Sequence, residues 1–175
     1  MRRLFLLRHA KAGTEGPDDK RRRLIARGRE DAVRMGHFLS TYAIDVALCS
    51  TASRTRETLG LILPQLAPHP AVHYLDELYL AESETILALV RRAHDSAGAL
   101  MIVGHNPGLE ECAQALVRPP EERKLRKRYT AMCEKFPTGT LAIIDFDAEH
   151  WSAIGGWVGE LEQFVRPKDL REEIG

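Results

Sequence analysis

Two histidines and two arginines stand where apolar runs of the chain give out. Arg8-His9 follows Leu4-Phe5-Leu6-Leu7, His105 follows Ala99 through Gly104, and Arg54 lies just after the run Ile44–Ser50. Arginine presents a planar, permanently charged fork that matches phosphate oxygens. A neutral histidine supplies a nitrogen nucleophile, and a second one supplies a hydrogen-bond donor. The set favours a dianion, and no acidic metal cage accompanies it. It points to phosphate chemistry without a metal or other cofactor. One histidine at the end of a strand is usually structural, so the inference rests on several segments delivering such residues to one edge.

For those side chains to meet, the apolar runs must be strands of one sheet. Leu4–Leu7 is continuous, as suits a strand buried on both faces. Ile44–Cys49, Val72–Leu75, Ala99–Val103 and Leu141–Phe146 are the further strand candidates. Helix-spaced apolar residues lie between them. Ala32, Met35, Gly36 and Leu39 form one face, and Leu59, Ile62, Leu63 and Leu66 another, which Pro64 should kink or end. Ile86, Leu89, Val90 and Ala93 form a third, with Ser83 as its expected N-cap. Leu109, Cys112, Ala113 and Leu116 follow Asn106-Pro107, read as N-cap and first helical residue. Leu125, Tyr129, Met132 and Phe136 suggest a helix with a basic outer side. Trp151–Trp157 is expected to pair with Leu141–Phe146 as a closing hairpin, and the charged tail from Val165 to lie on the surface. Strands alternating with helices imply an α/β protein with a mainly parallel central sheet, helices on both faces and an antiparallel pair at one edge. In such sheets ligands bind at the carboxyl ends of the strands. Arg8-His9, Ser50–Arg54 and His105 all fall there. The helix after Asn106 would aim its N–H groups at the same rim.

Composition narrows the setting. The 175 residues fit one domain, 1–175, and 44% hydrophobic with 29% charged residues belongs to a folded globular chain. The 25 basic residues balance the 25 acidic ones, which argues against a nucleic-acid partner. Cys49, Cys112 and Cys133 are odd in number and widely spaced, so buried free thiols in a reducing compartment are expected. Leu4–Leu7 is too short for a signal peptide core or a membrane span. A soluble cytoplasmic protein with no membrane partner is the expectation. Lys20–Arg23 with Arg27 and Arg29, and Arg123–Arg128, are basic clusters that read as solvated faces, although the first could dock an acidic partner.

The residues also resemble a family. Leu7-Arg8-His9-Ala10 is similar to the R-H-G signature of the histidine phosphatase superfamily, with Ala10 in place of the glycine. Ser50 through Thr58 resembles its S-P-x-x-R-A-x-Q-T motif, with Thr51 in place of the proline. Val103–Pro107 resembles the segment around its second histidine, and Asp19 through Gly28 its D-x-x-R-P-L-T-x-x-G stretch, with Arg23 and Ile25 departing from it. Short length and His105-Asn106-Pro107 point to the SixA-type phosphohistidine phosphatases. The resemblance implies a phosphoglycerate-mutase-like three-layer sandwich and a phosphohydrolase working through a phosphohistidine on His9. It implies that Arg8 and Arg54 hold phosphoryl oxygens, that His105 is the second histidine of the pocket, and that Arg22 and Asn106 bind substrate. A carboxylate often serves as general acid in the superfamily; Glu77 is the candidate, with Asp76 and Glu57 behind it. The implied substrate is a phosphorylated protein. The alternatives are a small phosphorylated substrate, or a non-catalytic phosphate-binding module.

Overall fold

A computed structural model of the chain describes residues 1–172. Its centre is a six-stranded sheet in the order β3-β2-β4-β1-β5-β6. The strands are β1 (Arg2–Arg8), β2 (Val46–Ser50), β3 (Ala71–Leu75), β4 (Ala99–Gly104), β5 (Leu141–Phe146) and β6 (Glu160–Val165). β3, β2, β4 and β1 run parallel, and β5 and β6 extend the sheet antiparallel. Helices α1 (Ala26–Leu39), α2 (Ser53–Ile62), α3 (Ser83–Arg91), α4 (Gly108–Leu116), α5 (Arg123–Glu134) and α6 (Pro167–Glu172) complete the three layers.

Strand pleat divides the core in two. Successive side chains point to opposite faces of a sheet. Leu4 and Leu6 of β1, with Leu100 and Ile102 of β4, therefore pack with Ile86 and Leu89 of α3, Cys112 and Leu116 of α4, and Met132 of α5. Phe5, Leu7, Met101 and Val103 enter the other layer, with Met35 and Leu39 of α1, Ile62 of α2 and Leu170 of α6. Both faces of β1 and β4 are thus apolar, which is why those strands read as continuous hydrophobic runs. Register then sets the rim. Arg8 pairs with Gly104, and Cys49 with Val103, so the carboxyl ends of β1, β4 and β2 finish level.

Several expectations are corrected at the C-terminal end and at helix starts. Trp151 does not begin a strand; Trp151–Ala153 is a 3-10 turn, and Trp151 is buried with its indole N–H donating to Ala97 O at 2.7 Å. The edge strand lies later, at Glu160–Val165. The tail is not merely a surface segment. Pro167 opens α6, Leu170 is buried, and Arg171 lies 3.2 Å from Asp31 of α1. Neither Ser83 nor Asn106 caps a helix with its side chain, since Glu82 and Pro107 occupy the cap positions. Cys49 and Cys112 are buried free thiols, but Cys133 is exposed.

One close approach ties the rim to α1. A Cβ on Gly28 would lie 2.1 Å from the Lys11 carbonyl oxygen, whereas one on Gly60 in α2 would meet nothing within 4 Å. Backbone has to move in the first case only. Gly28→Ala is expected to destabilise the fold by about 1–3 kcal/mol through overpacking. That is a fall in melting temperature of roughly 2–10 °C for a chain of this size. Gly60→Ala should instead stabilise by about 0.5–1 kcal/mol, because alanine relieves the entropic cost of a helical glycine. Thermal unfolding of the two variants beside the native chain checks both signs.

Candidate active site

His9 leaves the sheet directly after β1, and its N–H donates to Gly104 O at 3.2 Å. The next peptide is held from two sides. Ala10 N–H donates to Thr58 Oγ1 at 3.0 Å, and Gly139 N–H donates to His9 O at 2.8 Å. Thr58 in turn donates its hydroxyl proton to Arg54 O at 2.7 Å, so the turn after β1 is fastened to the helix that carries Arg54. Inside this frame the His9 ring is 5.4 Å from the His105 ring, centroid to centroid. His9 is 7% exposed, Arg54 3% and His105 3%.

The His9 tautomer follows from its partner. Nδ1 lies 2.7 Å from the Ala10 carbonyl oxygen. A carbonyl can only accept, so Nδ1 carries the proton and the lone pair sits on Nε2. Burial holds the His9 pKa down at about 3; the Ala10 bond opposes this, and the charges of His105, Arg54 and Arg8 reinforce it. Burial likewise lowers His105 to about 4, with Arg54 and Arg8 adding to the shift and Asp19 working against it. Both imidazoles are therefore neutral at pH 7 among guanidinium groups. His105 Nε2 is 2.7 Å from Ser50 Oγ at the end of β2, and Ser50 Oγ also accepts Ala52 N–H at 3.3 Å.

Arg54 is placed by α2, which begins just beyond the β2 end. Its guanidinium donates to Asp19 O at 2.7 Å and to Asp19 Oδ2 at 3.1 Å. Asp19 is a meeting point that sequence reading did not single out. Its carboxylate also accepts from the Tyr79 hydroxyl and, at 3.0 Å, from Arg22 Nη1. Those donors, Tyr79 foremost, hold its pKa far below the ordinary carboxylate range. Tyr79 stands edge-on to His105, 5.5 Å between centroids. Arg8 Nη1 and Asn106 Nδ2 both donate to Phe136 O, at 3.0 and 2.9 Å. Buried polar atoms normally have partners. Arg8 Nε, His105 Nδ1 and Asn106 Oδ1 have none within the described residues, so they are the groups from which a ligand would gain bonds.

Arg8, His9, Arg54 and His105 thus share one site, with Asn106 at its side. Arg22 lies beside Asp19, donating through Nη1 to its carboxylate at 3.0 Å and through Nε to Gly13 O at 2.7 Å. Glu77 is turned elsewhere, accepting from Arg92 of α3 at 3.2 Å, and bonds to none of these residues. Asp76 binds Thr51 and Lys20. Glu57 braces the loop before α1 by accepting Leu24 N–H at 3.1 Å and pairing with Arg29 and Arg23. That brace stands where Ile25 leaves α1 without a side-chain cap. Ser50, Asp19 and Tyr79 are the site residues missed. Ser50 and Asp19 stood inside the quoted motifs, but only the fold shows what they touch.

The histidine phosphatase superfamily (branch 1) profile matches residues 4–94. An uncharacterized protein of Mycobacterium leprae (strain TN) is 33% identical over 172 residues, spanning 93% of this chain and 100% of that relative. The "Putative Phosphohistidine Phosphatase SixA" from Nakamurella multipartitia superposes with a TM-score of 0.82 at 31% identity, covering 95% of this chain and 96% of the other. The "putative phosphohistidine phosphatase SixA" from Agrobacterium tumefaciens gives a TM-score of 0.77 at 31% identity, over 95% and 98% of the two chains. The chain belongs to the histidine phosphatase superfamily, in the branch that includes SixA-like phosphatases, and the fold is the phosphoglycerate-mutase-like sandwich of that family.

The two buried imidazoles also set a pH dependence of stability. Their folded pKa values of about 3 and 4 lie below the ordinary histidine value. The unfolded chain therefore binds more protons between about pH 4 and 6.5, and stability falls as pH falls through that window. Each histidine contributes up to about 1.4 kcal/mol per pH unit there. Urea unfolding from pH 7 to pH 4.5 should show the native chain losing stability more steeply than His9→Gln. Parallel profiles for the two would contradict the buried, neutral state of His9.

Proposed function

We propose that the chain is a SixA-type phosphohistidine phosphatase, with His9 as nucleophile. The observation that carries this reading is the buried, neutral His9, whose Nδ1 bond to Ala10 O turns the Nε2 lone pair over to chemistry. In the proposed reaction Nε2 attacks phosphorus in line. The bond from phosphorus to the substrate breaks, and its electron pair leaves with the departing group. Water then attacks phosphorus in phospho-His9, releasing phosphate and restoring the imidazole. Covalent catalysis divides one hard displacement into two easier ones. Arg8 and Arg54 would hold the equatorial oxygens, where charge is spread in the transition state. Ser50, donating its hydroxyl proton to His105 Nε2, would keep the proton of His105 on Nδ1, as a donor to the same oxygens.

Two acids near the rim, Asp19 and Glu77, favour a phosphohistidine substrate over a phosphomonoester, and a third, Glu110, accepts from Asn106 Nδ2 at 3.5 Å. An alkoxide leaving group needs a proton from the enzyme. Asp19 is held ionised by its donors, and Glu77 is paired with Arg92. A phosphoimidazole protonated on its second nitrogen leaves as a neutral molecule and requires no such acid. The short connections at the rim, 51–52 between β2 and α2 and 105–107 between β4 and α4, support access by a phosphorylated protein. Two solved relatives at 31% identity carry the phosphohistidine phosphatase name, which supports the same reading.

Phosphate release should be measured from a phosphohistidine-bearing carrier protein and from a simple phosphomonoester. The native chain is expected to prefer the carrier, and His9→Ala to lose turnover on it while still binding inorganic phosphate. Turnover of the carrier unchanged in His9→Ala would overturn the nucleophile. Release from the monoester alone would move the substrate to small molecules.

A further inference from the structure

A second feature opens on the same rim, two strands away from His9. Register aligns Leu7 of β1 with Leu141 of β5 and Val165 of β6, so Arg8, Thr140 and Arg166 are level across three adjacent strands. A cleft of about 340 Å³ lies here, on the α1 and α6 side of the sheet. Among the described residues its lining holds Lys11, Arg27, Lys135, Arg166, Lys168 and Arg171 against a single carboxylate, Asp31. The chain as a whole has no net charge, so this is a local concentration of one sign.

Internal pairing accounts for only part of that charge. Arg166 is bound by Asp169 at 3.0 Å, and Arg171 lies 3.2 Å from Asp31. Lys11, Arg27, Lys135 and Lys168 are exposed and make no ion pair among the described residues. The other basic regions differ. Lys20, Arg21, Arg22, Arg23 and Arg29 each face a carboxylate within 4 Å. The basic residues of α5 make no ion pair among the described residues either, but the groove beside that helix is lined by Glu121, Glu122, Glu160 and Glu162, and Arg126 and Arg128 donate to the Pro120 and Glu162 carbonyls. The first turn of α1 carries no acidic residue, so its dipole adds to the positive field at the cleft rather than offsetting it.

The cleft and the catalytic histidine are physically joined. Lys11 lies two residues beyond His9, and Gly139, next to the cleft residues Pro137 and Thr138, donates its N–H to His9 O. Two strand spacings separate the β1 and β6 ends, roughly 10 Å. An extended polypeptide covers that distance in about three residues. A nucleic acid would want aromatic rings to stack on, and the cleft lining has none.

We propose that this cleft is a docking subsite for carboxylate side chains of an acidic polypeptide segment that flanks the phosphohistidine of the substrate. The proposal rests on the phosphohistidine phosphatase reading for its substrate, but the cleft can be probed without turnover. Exposed lysines and an arginine reading acidic side chains would act through long-range attraction and KM, leaving the chemical step at His9 unchanged.

The test uses the full chain, a variant lacking Arg27, Lys135 and Lys168 (each changed to Ala), and a control lacking Arg123, Lys124 and Lys127 on α5, which removes equal charge elsewhere. A fluorescent hexaglutamate peptide without phosphate should bind the native chain and the α5 control alike, and bind the cleft variant about tenfold more weakly, as expected for three modest exposed pairs. Binding that is absent, or equally weakened in both variants, would overturn the docking site. An oligothymidylate of equal charge binding as tightly as the peptide would overturn its assignment to carboxylates. Kinetically, a phosphohistidine peptide with glutamate flanks should show a lower KM than one with glutamine flanks. The two should converge in the cleft variant with kcat unchanged, and equal KM values in the native chain would contradict the proposal. If neither peptide is hydrolysed by the native chain, the phosphohistidine reading fails, while the hexaglutamate measurement still decides the cleft.

Discussion

The bond from His9 Nδ1 to the Ala10 carbonyl leaves the lone pair of the ring on Nε2, and the peptide that makes the bond is held from two sides. The carbonyl accepts at 2.7 Å, so Nδ1 bears the proton. Burial and neighbouring cations keep a second proton off the ring. A neutral imidazole between guanidinium groups is what nucleophilic attack on an anion requires: attraction for the phosphoryl oxygens without protonation of the nucleophile. The cations that help lower the imidazole pKa, Arg54 and Arg8, are the residues proposed to hold the phosphoryl oxygens. Thr58 and Gly139 hold the turn after β1 on either side, and the close approach of Gly28 to Lys11 O supports it from α1.

Around that centre Asp19 plays an opposite electrostatic part. It brings a permanent negative charge beside Arg54, and three side chains, Tyr79, Arg22 and Arg54, converge on it. The loop between β1 and α1 is thereby anchored to α2 and to the segment after β3. The arrangement orders the Arg54 guanidinium, and it sets the charge around the site lower than a count of arginines suggests. Arg22 reaches the same carboxylate, 3.0 Å from Asp19 Oδ1.

Much of this was legible in the chain. The ends of β1, β2 and β4 announce themselves because strands buried on both faces are unbroken apolar runs, and the residue after each run must reach the rim. Arg8, His9, Arg54 and His105 follow from that reading. Asp19 and Tyr79 do not, because their bond joins residues 60 positions apart in the chain. The bond between His105 and Ser50 spans 55 positions, and nothing local marks it. Edge strand β6 is hard to read because Glu160, Glu162 and Gln163 make half of its six residues polar, while the tryptophans before it are the more strand-like residue type. Trp151 instead buries its ring beneath a 3-10 turn, and Trp157 takes a positive φ of 57°. Pro167 opens α6, where proline suits the first turn of a helix because its missing N–H is not needed.

Glu77 illustrates a further limit. Spacing can nominate a carboxylate near a predicted rim, but its partner depends on the fold, and Glu77 accepts from Arg92 of α3. The account is tested most directly by trapping the enzyme during turnover. The native chain would be mixed briefly with a phosphohistidine-bearing carrier protein, quenched in alkali, and the phosphorylated residue and nitrogen assigned by mass spectrometry and phosphorus NMR. A phosphoryl group on Nε2 of His9 is the predicted result. A label on His9 Nδ1, a label on His105, or turnover with no labelled enzyme would contradict it.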